Sequence, residues 1–527
     1  MLPARTARPI RAGERIHVVG AAGAGASAAV LHAAWAGGEP DGCDPGGPSP
    51  YTAPIEAAGI ALAWEHAAAH VTRTPPPDRL AVTKALTAIE PDHPELVAAR
   101  RVGVPIEPWQ QVIADAAVGK TLIGVAGTHG KSTSAGWLVH VLQAAGGDPS
   151  AFVGALLPRA ITGGLPGTAR RGAGSTFVVE ADEYAGNFDA YRPAIAIVTS
   201  AEWDHPDVFA DRSAVIGAFD RWLRAAVRDI DRAGADGSAD GPAGSRVVPS
   251  IAVINVADGG AAELADGLRD WPGTILATAI VDTDAVRAAS FGRGIAEQYA
   301  TLTGPARSLL GRIVVQEPDG TTIEIHGLDE RGGPLPVRLS TAGRHNAANA
   351  LGVAGAALAA GIGSAAIAAG LASFGGVGRR LERKGEVAGV VVFDDYGHHP
   401  TAIRATLGAV RQRAPGRRVW AVYEPLTFHR TAALLGEFAA VLAEADAVAI
   451  ADIWAGRDPD TTIASAAGLA EAVAKRNPAI PVAAPGSVEA TAAWLAGEVR
   501  RGDAVLVMGG GRSYRIGELL LEALADR

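Results

Sequence analysis

Residues 121–133 (TLIGVAGTHGKST) join an apolar run to a glycine-rich turn that carries a lysine and two adjacent hydroxyl side chains. An apolar run closed by glycines predicts a buried strand that turns sharply into the N-terminus of a helix. Backbone N–H groups at such a turn converge on phosphate oxygens, and the helix dipole favours the same anion. The segment therefore predicts an α/β unit that binds the phosphates of a nucleotide.

This turn supplies the first candidate binding residues, which are Gly127, Thr128, His129, Gly130, Lys131, Ser132 and Thr133. We expect Lys131 at the β- and γ-phosphates and the Ser132 hydroxyl at a Mg²⁺ ion. The usual spacing of the motif has a further glycine at position 125, where this chain has valine. An ordinary glycine-rich turn between a strand and a helix is the alternative interpretation.

Strand–turn–helix patterns recur along the chain. Strands are predicted at residues 15–19, 121–126, 176–180, 194–199, 390–394, 419–423, 447–453 and 504–508. Residues 39–54 predict a connection rich in Pro, Gly and Asp, and residues 231–245 predict a polar surface loop. We predict an α/β protein with mostly parallel, helix-covered sheets in three domains, at 1–120, 121–340 and 341–527.

Composition and charge exclude several classes of protein. A net charge of −9 argues against a nucleic-acid binder held by a basic surface. Because Cys43 is the only cysteine, no intrachain disulfide can form, and we expect no cysteine zinc site. Residues 347–378 are uncharged but rich in Ala and Gly, which predicts two buried helices at about 344–360 and 364–374 rather than a membrane span. No secretion signal is recognisable at the start, so we expect a cytoplasmic protein.

Acidic residues follow two of the predicted central strands. Glu180, Asp182 and Glu183 come at the end of one strand, and Asp204 and His205 follow the next. A carboxylate that leaves a strand beside a phosphate-binding turn is placed to ligate a nucleotide-bound Mg²⁺. Solvated loop residues are the alternative interpretation.

A second glycine-rich turn, with Gly20, Gly23, Gly25 and Ser27, follows the first predicted strand and opens a helix. Its spacing satisfies the dinucleotide-binding fingerprint, and Asp44 lies about 20 residues further on. Taken alone, this pattern favours an oxidoreductase that binds NAD. The turn also fits the approach of any other diphosphate to a helix N-terminus.

The third unit carries polar residues at the start of a helix and after several predicted strands. Ligands of open α/β sheets gather at the carboxyl ends of the strands, so these residues are candidates for a binding site. They are Asn346, Asn349, Arg379, Asp395, His398, His399 and Arg430. The adjacent side chains of His398 and His399 diverge, so we expect a loop that contacts substrate rather than a metal site.

Taken in order, these segments resemble the Mur ligase family, the ATP-dependent amide ligases that build the peptide stem of peptidoglycan. The resemblance rests on IHVVGAAGAGAS, GVAGTHGKST, VVEADE, EWDHPDVF, GRHNAANAL, FGGVGRRLERKGE, DDYGHHPT, HRT and GDAVLVMGGG, and covers nearly the whole chain. It implies a Rossmann-like N-terminal domain for a UDP-sugar, a central P-loop ATPase domain, and a C-terminal Rossmann-like domain that closes over ATP.

The resemblance also implies roles by position. Lys131 would hold the phosphates, Ser132 and Glu180 would hold one Mg²⁺, and His205 would bind a second metal ion. The asparagines of the third unit would line the nucleotide pocket, with Arg379 and Asp395 across the interdomain cleft. His398 and Arg430 would lie near the incoming amino acid. The N-terminal glycines, with Ser27 and Asp44, would bind UDP rather than NAD.

The implied reaction is the ATP-dependent addition of L-alanine to UDP-N-acetylmuramate through an acyl phosphate. Members that add alanine have His-Arg-Tyr where this chain has Leu426, Thr427 and Phe428, so one arginine expected near the amino acid is absent. Addition of a recycled tripeptide to the same UDP-sugar therefore stays open, as does the NAD-binding oxidoreductase from a different class. We expect no nucleic-acid or membrane partner, and a monomer or dimer.

Overall fold

Three β-sheets follow one another along the chain. The structure is a computed structural model that describes residues 2–235, 250–282, 285–329, 333–456, 458 and 460–526. The prediction of an α/β protein with largely parallel, helix-covered sheets is confirmed. Most of the predicted loop at 231–245 lies outside the described residues, and its first residues continue a helix.

The first unit has a five-stranded parallel sheet in the order β3-β2-β1-β4-β5. Its elements are β1 (Arg15–Val19), α1 (Ala24–Trp35), β2 (Glu39–Cys43), α2 (Ala53–Ala57), β3 (Leu62–Ala63), α3 (Ala69–Thr72), β4 (Arg79–Val82), α4 (Lys84–Ile89), α5 (Pro94–Val102), β5 (Ile106–Pro108) and α6 (Trp109–Ala116). The prediction of a connection over 39–54 is wrong for β2, whose sequence EPDGC has poor strand propensity. Parallel pairing of the whole segment with β1 stabilises it as a strand.

The central unit has a ten-stranded sheet in the order β15-β14-β13-β12-β11-β10-β6-β9-β7-β8. Its elements are β6 (Thr121–Ala126), α7 (Lys131–Ala144), β7 (Ser150–Leu157), α8 (Arg159–Thr162), β8 (Gly167–Arg170), β9 (Thr176–Glu180), a 3₁₀ segment (Tyr184–Ala190), β10 (Ile195–Val198), α9 (Arg212–Ala235), β11 (Ile251–Asn255), α10 (Gly259–Gly267), β12 (Thr274–Ile280), α11 (Ala285–Gln298), β13 (Arg307–Glu317), β14 (Gly320–His326), β15 (Leu335–Leu339), α12 (Arg344–Ala359) and α13 (Ser364–Ser373). The seven strands from β13 to β7 in the sheet order are parallel. Antiparallel pairs form both edges, with β14 and β15 at one and β8 at the other.

The uncharged stretch 347–378 forms the two predicted helices, of which α12 is buried and α13 buries one side only. Both pack against α7 and the central sheet. We therefore propose that the boundary between the second and third domains lies near residue 378 rather than at 340. Within the described ranges, none of the helices combines the length and the apolar character that a membrane crossing needs.

The third unit has a six-stranded sheet in the order β16-β17-β21-β18-β19-β20, parallel except at β16. Its elements are β16 (Glu382–Val387), β17 (Val390–Asp395), α14 (Pro400–Arg413), β18 (Arg418–Glu424), α15 (Phe428–Ala433), α16 (Leu435–Leu442), β19 (Ala447–Ala451), α17 (Ala466–Arg476), β20 (Val482–Gly486), α18 (Val488–Glu498), β21 (Asp503–Gly509) and α19 (Tyr514–Ala525). The three central strands have almost wholly apolar middles, VVVF in β17, VWAVY in β18 and AVLVM in β21, as expected for strands covered by helices on both faces.

The first unit joins the central unit through an apolar interface, whereas the third unit joins it largely through polar contacts. Helix α1 packs against β7 and β8, and one hydrophobic cluster runs from α1 and α6 into the central sheet. On the other side, Gln412 of α14 donates hydrogen bonds to the carbonyl oxygens of Glu317 and Gly320. The carboxyl ends of strands from all three sheets thereby face a common cleft.

Candidate active site

One cavity of about 1530 Å³ lies where the three units meet. The first unit contributes Gly25, Lys84 and Trp109, the central unit its phosphate-binding turn and the acidic strand ends, and the third unit Asp395, His398 and Arg430. The fold thus brings residues that lie far apart in the sequence to one cavity. Such a space suits a reaction between several substrates.

The turn after β6 has little room for side chains at its glycines. Gly127 has φ +130°, and a Cβ there would lie 2.0 Å from Thr199 Oγ1. Gly130, the N-cap of α7, has φ +80°, and a Cβ would lie 2.5 Å from Asn349 Oδ1. Val125 remains inside β6, where it pairs with Glu180, so the turn begins at Gly127 and is tighter than the usual motif.

Lys131, the first residue of α7, points back across this turn. Its Nζ donates to the carbonyl oxygen of Gly127 at 2.7 Å and to Glu183 Oε2 at 2.9 Å, and lies 3.8 Å from Asp182 Oδ1. Burial opposes protonation, but the two carboxylates raise the pKa of Lys131 above its ordinary value. The ammonium group is therefore held charged at the N-terminus of the helix.

Ser132 connects the turn to β9 and to the third unit. Its Oγ donates to Glu180 Oε1 at 3.0 Å and accepts from Arg380 Nη2 at 2.8 Å. The other oxygen of Glu180 accepts from the backbone N–H of Gly154 at 2.6 Å. The predicted partners Ser132 and Glu180 are thus adjacent, with a guanidinium group beside them.

A second group of potential metal ligands lies on the far side of Lys131. Ligand atoms of Asp182, Glu183 and His205 all lie within 4.8 Å of one another. His205 has φ +58°, and its ring lies 4.7 Å from the ring of Tyr184. Ser132 with Glu180, and His205 with Asp182 and Glu183, thus form two separate groups, and their roles as metal ligands stay predictions.

Thr128 and His129 line the cavity and also contact Glu202. The Thr128 hydroxyl donates to the carbonyl oxygen of Glu202 at 3.1 Å, and His129 Nε2 lies 3.2 Å from Glu202 Oε2. Thr401 of the third unit donates to the same carboxylate oxygen at 2.7 Å. Burial opposes the ionisation of Glu202. The contact with His129 is the strongest of those that lower the pKa of Glu202, to about 2. Glu202 was not among the predicted site residues, although it opens the segment EWDHPDVF.

The two predicted asparagines lie on the buried side of the phosphate-binding turn. Asn349 Nδ2 donates to Asn346 Oδ1 at 3.3 Å, and Asn346 Nδ2 donates to the carbonyl oxygen of Ala342 at 2.8 Å. Both line the cavity. Thr133, in the first turn of α7, is buried and lines it as well.

Arg379 does not face the cavity in this arrangement. Its guanidinium group donates to Asp394 Oδ2 at 3.2 Å, and to the Gly509 carbonyl and Ser513 Oγ at 2.8 Å each. These bonds tie β17 to the end of β21. The neighbouring residue, Arg380, reaches Ser132 instead, and its guanidinium carbon lies 4.9 Å from the centre of the Tyr396 ring. The sequence pattern Arg-Arg gave no means of telling the two apart.

Asp395 and His398 stand at the carboxyl end of β17. Asp395 accepts from the backbone N–H groups of Leu381 and Gly397, each at 2.7 Å. His398 Nδ1 lies 3.0 Å from the carbonyl oxygen of Tyr396, which can only accept, so Nδ1 carries the proton. Burial, with Arg430 nearby, lowers the pKa of His398 well below its ordinary value, which leaves a neutral ring with an unprotonated Nε2.

Arg430 of α15 is paired with Asp204 of the central unit. Its Nη2 lies 2.8 Å from Asp204 Oδ1 and 3.2 Å from His205 Nδ1. Burial opposes the ionisation of Asp204, but His205 and Arg430 hold the pKa of its carboxyl group well below the usual range. The predicted residues Arg430, His205 and His398 thus form one cluster around this carboxylate.

The N-terminal glycine turn contributes less to the cavity than the sequence suggested. Of the predicted residues, Gly25 lines it, and a Cβ there would lie 2.2 Å from the Trp109 ring. Ser27 is fully buried and shares a hydrogen bond of 3.1 Å with Thr168 of the central unit. Asp44 accepts from the backbone N–H of Ala22 at 3.1 Å. Ser27 thus joins α1 to the central unit and Asp44 braces the turn, and their contact with a UDP-sugar stays a prediction.

Comparison with known proteins agrees with this architecture. Residues 15–121 match the Mur ligase family, catalytic domain, and residues 379–511 match the Mur ligase, glutamate ligase domain. A UDP-N-acetylmuramate–L-alanine ligase from Frankia casuarinae is 33% identical, with 97% of this chain and 98% of that protein aligned. Another of the same name, from Mycolicibacterium vanbaalenii, is 36% identical over 98% of this chain and 97% of its own length.

Solved structures show the same fold. A UDP-N-acetylmuramate–alanine ligase from Thermotoga maritima superposes with a TM-score of 0.71 at 21% identity, covering 96% of this chain and 98% of its own. A murein peptide ligase from Psychrobacter arcticus superposes with a TM-score of 0.65 at 23% identity, covering 98% and 99%. The full-length relatives exclude the hypothesis of an NAD-binding oxidoreductase, and the chain belongs to the Mur ligase family of ATP-dependent amide ligases.

Proposed function

We propose that this ligase joins L-alanine to UDP-N-acetylmuramate at the expense of ATP, in the synthesis of a peptidoglycan precursor. The observation that carries the proposal is the cavity of about 1530 Å³ to which all three units contribute polar side chains. The relatives named for this reaction align with nearly the whole chain, which supports the same substrates. Because ATP and nucleotide sugars are made in the cytoplasm, the reaction belongs there.

The first chemical step turns a poor acyl donor into a good one. An oxygen of the lactyl carboxylate attacks the γ-phosphorus of ATP, the bond from that phosphorus to the β-phosphate oxygen breaks, and an acyl phosphate and ADP form. Negative charge spreads over the transferring group, and a fixed cation stabilises it. Lys131 and Arg380 converge on the start of α7 and supply two such charges.

The side chains around Ser132 fit a magnesium ion. Mg²⁺ prefers oxygen ligands, and the Ser132 hydroxyl lies 3.0 Å from Glu180 Oε1 at the end of a neighbouring strand. When bound, the ion would neutralise phosphate charge and polarise the transferred group. The carboxylates of Asp182 and Glu183, with His205, would hold a second ion next to Lys131. The chain's own part is to hold these oxygens at the helix N-terminus.

The second step needs a free amine. The amine nitrogen attacks the acyl carbon, phosphate leaves, and the nitrogen loses a proton as the amide forms. We propose that His398 Nε2 accepts this proton, because the ring is neutral and its Nδ1–H is already bonded to a carbonyl oxygen. Arg430 lies on the same Asp204 carboxylate as His398 and would orient the carboxylate of the incoming amino acid. Enclosure between the units excludes water from the acyl phosphate.

The UDP-sugar is proposed to enter from the first unit. Gly20 has φ +75° and Gly23 donates to its carbonyl, so the turn presents backbone N–H groups at the N-terminus of α1. Gly25, Lys84 and Trp109 extend this surface into the cavity. Lys84 Nζ donates to the carbonyl oxygens of Ala185 and Gly186 in the central unit. These bonds link the first unit to the 3₁₀ segment that follows β9.

The amino-acid specificity is tested by phosphate release. Purified protein with ATP, Mg²⁺ and UDP-N-acetylmuramate is given L-alanine, glycine, L-serine or the tripeptide, and the UDP-sugar product is weighed by mass spectrometry. We expect release with L-alanine and a product heavier by one alanyl residue. Release with the tripeptide alone would move the protein to the recycling reaction, and no release with any of them would contradict the proposal.

Two variants distinguish phosphate release by the ligase from release by a contaminating phosphatase. Lys131→Ala removes the phosphate-binding cation. We expect it to lower the rate of amino-acid-dependent phosphate release by about 10²–10³-fold or more. Lys475→Gln removes an exposed lysine of α17 and is expected to behave as the unaltered protein. Equal activity of the two variants would exclude the proposed role of Lys131.

A further inference from the structure

Four metal-ligating side chains meet inside the first unit, away from the active-site cavity. His17 lies in β1, Cys43 ends β2, His70 lies in α3 and Glu95 lies in α5. One ligand atom from each lies within 4.8 Å of all the others. They sit on the face of the sheet that α3 and α5 cover, and they do not line the cavity.

The four ligand atoms lie close enough together for a single ligand shell. Cys43 Sγ lies 3.1 Å from Glu95 Oε1, His70 Nδ1 lies 2.7 Å from the same oxygen, and His17 Nε2 lies 3.5 Å from Glu95 Oε2. A tetrahedral zinc ion with bonds of about 2.0–2.3 Å holds its ligand atoms about 3.3–3.8 Å apart. Small side-chain rotations would bring the four atoms to those distances.

His17 gives an independent indication of a missing partner. Its side chain is 2% exposed, and Nδ1 lies 2.7 Å from Asp41 Oδ1. Its Nε2, which points towards Cys43 and Glu95, makes no hydrogen bond among the described residues. A buried histidine that donates one ring N–H to a carboxylate and turns its other nitrogen towards a thiol and a second carboxylate has the arrangement of a metal ligand with its supporting carboxylate.

The donor set also suits a divalent cation. A thiolate and a carboxylate together would neutralise a divalent ion, with two imidazoles as neutral ligands.

We propose that His17, Cys43, His70 and Glu95 bind one divalent transition-metal ion of the zinc type. Thiolate, imidazole and carboxylate in a tetrahedral set select zinc over magnesium or calcium. All four positions are filled by protein, so the ion is structural, and it fastens two strands to two helices in the first unit. The sequence-based expectation that a lone cysteine forms no zinc site is reversed, because the fold brings Cys43 to two histidines and a glutamate.

Cobalt titration of the metal-free full-length protein tests the site. Co²⁺ in place of zinc gives tetrahedral d–d bands and, with a thiolate ligand, a near-ultraviolet charge-transfer band. Because Cys43 is the only cysteine, that band reports on this site and not on the active-site carboxylates. We expect it to saturate at one ion per chain and to be displaced by Zn²⁺.

Variants assign the ligands. Cys43→Ser should lose the charge-transfer band, and His70→Gln should weaken Co²⁺ binding at least ~10-fold. Asp41→Asn, which changes no ligand atom, should keep the band but bind more weakly, and Glu180→Gln in the active site should leave the band unchanged. Zn²⁺ should raise the melting temperature of the unaltered protein and not that of Cys43→Ser. Absence of the band in the folded, unaltered protein, or unchanged affinity in His70→Gln, would overturn the proposal.

Discussion

Arg430 Nε and Nη2 both donate to one oxygen of Asp204, Oδ1, at 2.9 and 2.8 Å. The two residues are 226 positions apart, in the third and central units, and each side chain is 4% exposed. His398 Nε2 lies 3.9 Å from the other oxygen of this carboxylate. The contact that joins the two units is therefore also part of the proposed amino-acid site.

Removing the guanidinium group of Arg430 should lower both the stability of the protein and its ligase activity. Breaking a buried ion pair from one side costs about 3–5 kcal/mol, because the remaining charge is left without a partner. We expect Arg430→Met to lower the free energy of unfolding by about this amount, and kcat/KM for ligation by about 10²-fold or more. Denaturant unfolding and the phosphate assay measure the two effects.

The matched control is Arg404→Met in α14, whose guanidinium group pairs with Glu444 on the surface of the third unit. Exposed pairs of this kind contribute about 0–1 kcal/mol, so this variant should be close to the unaltered protein in both measurements. If Arg430→Met were as active as Arg404→Met, the ion pair would have no part in the site.

Gly130→Ala should damage the phosphate-binding turn. Alanine is strained at φ +80°, and its Cβ would lie 2.5 Å from Asn349 Oδ1, so the turn or the asparagine must shift. We expect a loss of about 1–2 kcal/mol in the free energy of unfolding and a raised KM for ATP. Gly408→Ala is the control: it lies in α14 with open space at its Cβ, and should be neutral or stabilising by about 1 kcal/mol. Unchanged KM in Gly130→Ala would contradict the assigned geometry.

Stability should fall in mild acid because two buried histidines stay neutral in the folded protein. Burial is the main cause that lowers the pKa of His32 and of His399 to about 4. An unfolded histidine titrates near pH 6.5, so between pH 6.5 and 4 the unfolded chain binds more protons. Each histidine then lowers the free energy of unfolding by up to about 3 kcal/mol as the pH falls through that range.

His32→Gln isolates one of these contributions. His32 Nε2 lies 2.9 Å from the carbonyl oxygen of Ala151, a contact that a glutamine N–H can reproduce without titrating. We expect the difference in unfolding free energy between pH 7 and pH 4.5 to shrink in this variant. His429→Gln, at a half-exposed position, controls for the loss of a histidine. An unaltered pH dependence in His32→Gln would mean that the ring is already protonated in the folded protein.

Local patterns were sufficient for the fold class and for much of the site. The apolar runs before Gly20 and Gly127 predicted β1 and β6 at their observed bounds, because such strands are buried on both faces. The strand β2 could not be predicted, since its stability comes from pairing with β1 rather than from EPDGC itself. In the same way, the orientations of Arg379 and Arg380 depend on β21 and on Ser132, which are distant in the sequence.

Replacing His398 should change the pH dependence of kcat for ligation. The neutral ring, with Nδ1–H bonded to the Tyr396 carbonyl, leaves Nε2 able to accept a proton from the attacking amine. Because the pKa of His398 lies well below its ordinary value, the unaltered enzyme should keep this base available throughout the neutral range. His398→Gln should lower kcat by about 10²–10⁴-fold at neutral pH, with partial recovery in alkali, where the amine is already free. The control His140→Gln lies outside the cavity and should keep both rate and profile, and a His398→Gln protein with an unchanged profile would exclude the base.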